Sequence, residues 1–224
     1  MVFMYFCKNL LMEQYKKLPF DLDILAEAFD VQRVGSCNDL TQWLSSTFTL
    51  TATELEIIDD IHEEIESNGD YWNEEELKVQ FIGTVFYVAK VKQKGKIRVY
   101  FERSISATIN EYKLSVISDC IVATPQQFSS PRNPYFFLQE FKKGKGEKTD
   151  PEAQMLTAML IAQALNNDNK PVYGSFVVGS EWRFTTLVGK NYCISKKFDA
   201  TQKKELLQVI YSIRALKNLI LDRL

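Results

Sequence analysis

The sequence predicts an α/β (α+β) protein in which a mixed central sheet is flanked by helices, and three observations carry that prediction. Segments rich in β-branched and aromatic residues follow one another at 97–101, 112–123 and 135–142, a composition suited to a pleated, half-buried surface. A marked helix start at Asp150-Pro151 separates the last of these from another such segment at 172–178. A strand-helix-strand crossover of this kind is right-handed and makes its two strands parallel. Helical periodicity lies on both sides of the block, which supplies the flanking layers.

Bulk properties set limits on this picture. With 224 residues the chain can bury a full core, as one good-sized domain or as a core with an N-terminal elaboration. Hydrophobic residues at 46% and charged residues at 25% are ordinary for a soluble globular protein and exclude a disordered or fibrous chain. A formal charge of -2 gives no global pull toward polyanions, so contact with a phosphate backbone has to come from local basic patches or a bound cation.

Cys7, Cys37, Cys120 and Cys193 lack the paired spacing of zinc sites and are expected to be reduced, buried thiols. His62 is the single histidine, which excludes sites that need several imidazoles, and its acidic neighbours put it on a solvated helical face. Lys8 and Asn9 interrupt the opening apolar run, and no segment approaches the roughly 18 continuous apolar residues of a membrane span. A cytoplasmic protein without membrane contact is expected, its oligomeric state open and a homodimer compatible with the sequence.

Taken in order, residues 1–70 read as an N-terminal helical extension, with helices at 10–17, 21–29, 38–47 and from Thr51 onward. Thr51 with Glu54 is a capping-box pattern, and Asn68-Gly69-Asp70 supplies turn chemistry at the other end. Residues 71–224 read as the α/β core. Asn73 with Glu76 repeats the capping box, and Leu77, Phe81, Ile82, Val85 and Ala89 give the helix one apolar face. Three strands follow, then the helix from Pro151, the strand 172–178, a tight turn at Gly179-Ser180, a strand at 182–187 and a long helix capped near Asp199. The core order is α-β-β-β-α-β, with a hairpin and a final helix added.

Chemistry concentrates at the end of the third strand. Successive side chains of a strand point to opposite faces, so Glu140 and Lys142 emerge on one side about 6 to 7 Å apart, with Phe136 and Leu138 before them. Charges at the end of an apolar face are costly unless they pair or meet a metal. Asp119 sits in the preceding strand, expected on one face with Ile117 and Ile121. If the strands are neighbours, Asp119, Glu140 and the carbonyl of Phe141 suit Mg²⁺ (or Mn²⁺), a hard cation that takes oxygen ligands and keeps several waters.

Asp119 followed one connection later by Glu140-Phe141-Lys142, in this element order, resembles the D…E-x-K signature of the PD-(D/E)XK nuclease superfamily over residues 73–178. The resemblance implies a restriction-endonuclease-like core and an Mg²⁺-dependent phosphodiesterase acting on DNA. By it, Asp119 and Glu140 hold the metal, Lys142 assists the attacking water, and Gln154, one turn into the crossover helix, faces the site. An acid on the first core helix often joins such sites, and Glu76, with Glu75 behind it, is the expected one. Ser118 stands where the pattern usually has proline, and the upstream glycine is absent, both of which loosen the match.

Plainer readings stand beside these. Lys143, Lys145 and Lys148, with Gly144 and Gly146 between them, could grip a phosphate backbone or form a solvated connection. Trp182 and Phe184 could stack bases, but aromatic residues in strands more often fill cores. The three charged residues could be ordinary ion pairs at strand ends. The alternative to catalysis is a nuclease-like fold that binds nucleic acid or a protein without cleaving anything.

Overall fold

The computed structural model describes residues 15–128, 130–143 and 150–224. Its frame is a mixed sheet in the order β1-β7-β6-β5-β4-β3-β2, with β8 paired to β6. The strands are β1 (Gln32–Arg33), β2 (Arg98–Ile109), β3 (Tyr112–Pro125), β4 (Pro131–Lys142), β5 (Val172–Val178), β6 (Glu181–Val188), β7 (Asn191–Ile194) and β8 (Phe198–Asp199). The helices are α1 (Leu22–Phe29), α2 (Asn38–Leu44), α3 (Ala52–Asn68), α4 (Glu74–Glu76), a π-helical turn (Leu77–Ile82), α5 (Gly83–Ala89), α6 (Pro151–Asn166) and α7 (Lys203–Leu221). No helix among the described residues is long and apolar enough to cross a membrane.

Helices cover both faces. On one side α1 and α6 bury Leu25, Leu156 and Ile161 against Ile121, Leu138 and Phe176. On the other, α2, α3, α5 and α7 bury Trp43, Ile61, Phe86 and Ile213 against Phe137, Phe141, Trp182 and Phe184. Residues from the N-terminal helices thus share both cores with the sheet. Trp182 and Phe184 are fully buried, so they are core residues and no stacking platform.

The strands joined by the crossover, β4 and β5, are parallel as expected, with Glu140 opposite Phe176, while β3 and β4 are antiparallel, with Cys120 opposite Gln139. Asp150 accepts the Glu152 N–H and Pro151 opens α6. Both capping boxes form, Thr51 with Glu54 and Asn73 with Glu76.

Several expectations are corrected. Of the helix expected at 10–17, residues 10–14 lie outside the described set and Lys16 instead forms a bridge with Tyr112. The closing helix is capped at Gln202, because Asp199 belongs to β8 and uses its carboxylate on Thr201. His62 is tied to the protein, its Nε2 2.8 Å from the Thr201 carbonyl. Cys37 and Cys193 are joined in a disulfide, so only Cys120 of the described cysteines is a buried free thiol.

Candidate active site

Irregularities in β3 and β4 aim the site. Register between these strands shifts around Val122 and Ala123, so Phe136 turns to the α7-side core while Leu138 stays on the α6 side. By alternation Glu140 and Lys142 follow Leu138, and Phe136 does not share their face as expected. A second irregularity lies where Glu102 and Asp119 face one another without pairing, between the pairs Phe101 with Cys120 and Arg103 with Ser118. Glu102 has φ 51°, a left-handed conformation unusual inside a strand.

Across that step the buried face of β3 changes. Leu114 and Val116 pack on the α6 side before it, and Ile121 and Ala123 do so after it. Ile117, expected to share a buried face with Asp119, is therefore 63% exposed, whereas Asp119 is 9% exposed. The same step frees Asp119 from the ladder and turns its carboxylate toward β4. There Oδ2 accepts the Phe141 N–H at 2.9 Å. The Phe141 carbonyl leaves the extended chain on that same strand edge, beyond the last β3–β4 pair.

Lys142 completes the group. Its Nζ lies 3.8 Å from Asp119 Oδ2 and 3.7 Å from Glu74 Oε1, ionic contacts too long for hydrogen bonds. Glu140 is fully buried, and neither of its oxygens accepts a well-formed hydrogen bond among the described residues. Ser118 is near, but its hydroxyl donates to the Cys120 carbonyl at 3.2 Å.

Electrostatics follow from this geometry. Burial pushes the Asp119 carboxyl above its usual range, opposed by the Phe141 N–H and the Lys142 charge. Burial raises Glu140 much further, and the neighbouring Asp119 charge adds to it. Two carboxyl groups facing one another in a dry place retain a proton unless a cation replaces it.

Of the other expected residues, Gln154 lies in the first turn of α6 with its Oε1 buried and unpartnered among the described residues. Glu76 turns back to accept the Asn73 N–H at 2.7 Å, and it is Glu74, two residues earlier, that reaches Lys142. The capping-box pattern that identified the helix start already committed Glu76 to that task. Glu75 is bound to Lys78, which also binds Glu102.

Lys78 was not foreseen. Burial works against its charge, but hydrogen bonds to Glu102 and Glu75 outweigh it and hold its pKa above the usual value, and the cation acts on Asp119 from that position. It projects from the π-helical turn, an interruption common at functional sites and invisible to helical periodicity. Lys143 is partly exposed at the end of β4; Lys145 and Lys148 lie outside the described residues.

A divalent cation can be tested against these groups. Among the described residues neither Glu140 oxygen has a well-formed hydrogen bond, Asp119 is one strand away, and the groups that could ligate are all oxygens, which fits a hard cation that retains water. No group of three or more His, Cys, Asp or Glu residues that could hold a metal occurs among the described residues, so a closed zinc-type cage does not fit. No family model matches the chain, and no curated protein matches it.

Proposed function

We propose that the protein is a metal-dependent phosphodiesterase acting on DNA, with a restriction-endonuclease-like core related to the PD-(D/E)XK nucleases. The observation that carries this reading is the convergence of Asp119, Glu140 and Lys142 where β4 ends, with the Glu140 oxygens buried and without a well-formed hydrogen bond among the described residues. Asp119, Glu140 and the Phe141 carbonyl would hold one Mg²⁺ or Mn²⁺. When bound, that ion would lower the pKa of a water and neutralise charge on the phosphate.

The chain's own groups have distinct tasks. The Phe141 N–H fixes the Asp119 carboxylate beside Lys142. Lys142, held between Asp119 and Glu74, orients the attacking water and offers positive charge to the developing phosphorane oxygens. Gln154, whose side-chain carbonyl is buried and unpartnered among the described residues, would align that water if it faces the site as the resemblance implies. Cytoplasmic location belongs to this reading, and the Cys37–Cys193 bond is the observation that pulls against it.

Cleavage of DNA with Mg²⁺ or Mn²⁺, compared between the wild type and Glu140→Ala, tests the reading. The variant is expected to fold, by circular dichroism, and to lose metal-dependent cleavage. Equal cleavage by both proteins would remove the group from the mechanism. Metal-independent binding without cleavage in the wild type would favour a binding module.

A further inference from the structure

A second charged group lies on the face of the sheet that carries Glu140. Glu140 pairs with Phe176, and Phe176 with Arg183, which puts Arg183 two strands away, about 10 Å at ordinary strand spacing. Arg183 alternates with the core residues Trp182 and Phe184 of the opposite side, so it shares the α6 side with Leu187. Arg33 on β1 pairs with Tyr192 of β7, another α6-side residue. Between them opens a groove of about 440 Å³, lined by Arg33, Arg183, Ser195 and Lys196.

We propose that this groove is a phosphodiester-binding subsite, which holds the backbone of the DNA strand whose scissile bond lies over Asp119 and Glu140. The proposal rests on the phosphodiesterase reading given above. Among the described residues neither arginine is committed to a close partner. Arg33 is 58% exposed and stands 3.9 Å from Glu152, too far for a hydrogen bond. Arg183 acts on that same carboxyl only through space.

Glu152 is the local counter-charge, and burial pushes its carboxyl above the usual range against both arginines. In the adjoining cavity of about 150 Å³ the buried Tyr192 hydroxyl has no well-formed hydrogen bond among the described residues. Lys196 guards the rim, shared with Glu205 at 3.2 Å. Guanidinium forks suit phosphate oxygens, and two of them on one face, in line with the acid pair, suit a continuous backbone better than a lone anion.

The test is binding of labelled single-stranded and duplex DNA oligonucleotides to the full chain in EDTA, by fluorescence anisotropy over a range of salt. Arg33→Ala and Arg183→Ala are each expected to weaken binding about tenfold, and the double variant to lower the salt slope by about two phosphate contacts. Glu152→Gln is expected to tighten binding, and Arg33→Lys and Arg183→Lys to fall between wild type and alanine.

Wild-type affinity in the alanine variants, or no metal-free binding by the wild type, overturns the subsite. Displacement of DNA by an equal concentration of inorganic phosphate does so too, because it assigns the groove to a free anion. A Mn²⁺-induced thermal shift that needs Asp119 and Glu140 is read separately. Its loss sinks the phosphodiesterase reading, whereas its presence with unaltered DNA binding sinks only the subsite.

Discussion

Glu54 and Glu140 are withdrawn from solvent to similar degrees, 5% and 0% exposed, yet their surroundings are opposite. Glu54 accepts the Thr51 N–H at 2.7 Å and meets Lys90 at 2.7 Å and Arg214 at 2.6 Å. The Lys90 hydrogen bond, with the Thr51 N–H and Arg214, pulls its pKa down to about 2 against burial. Among the described residues Glu140 has no comparable donor and has a carboxylate neighbour, and burial drives it the other way. Burial alone therefore says little about a carboxylate. Glu54 closes a structural tie between α3, α5 and α7, whereas the Glu140 oxygens, without a well-formed hydrogen bond among the described residues, favour a proton or a cation.

That contrast can be broken at either end. The largest effect is expected at the site: Lys142→Met should lower metal-dependent cleavage by about 10²- to 10³-fold, measured as kcat, with little change in stability. Glu54→Ala should cost about 2 kcal/mol in denaturant unfolding, a modest figure for a multiply bonded carboxylate because Lys90 is itself 62% exposed. Because the Glu54 pKa is depressed on folding, its contribution is present above the ordinary value of 4.5 and is lost as pH falls toward about 2.

Glu140 has the reverse sign. Its pKa rises on folding, so the metal-free protein loses stability as pH climbs above the ordinary value of 4.5. Glu140→Gln should therefore stabilise the metal-free protein by on the order of 1 kcal/mol in mildly alkaline solution and by nothing in acid, read as thermal midpoints across pH. The smallest effect is expected at Thr51→Ala, about 1 kcal/mol, because it removes one half of a capping box and leaves the ion pairs in place.

Much of this was written in local chemistry. The capping boxes, Asp150-Pro151 and the β-branched runs each specify structure within a few residues, and they gave the helix starts and the parallel crossover correctly. What escaped depends on distant partners. β1, β7 and β8 have two to four residues each, too short for a period to show, and exist because their neighbours offer an open edge. β2 runs on from Phe101 to Ile109 because β3 pairs with it along its length, despite the polar residues Glu102, Arg103 and Ser104.

The site divides the same way. Asp119, Glu140 and Lys142 were legible because charged residues in apolar strands are costly and thus conspicuous. Glu74 and Lys78 were not, since acids and lysines at a helix start are ordinary and only the π-helical turn shows which of them point to the sheet. The exposure of Ile117 beside buried Asp119 depends on the step at Glu102, which no strand pattern announces.

Whether Asp119 and Glu140 form one cation site is read most directly from anomalous scattering by crystals grown with Mn²⁺. One peak is expected between the two carboxyl groups and the Phe141 carbonyl, at ligand distances of about 2.1 Å, abolished in Glu140→Gln. Crystals of well-folded protein at saturating Mn²⁺ with no density there would contradict a shared site.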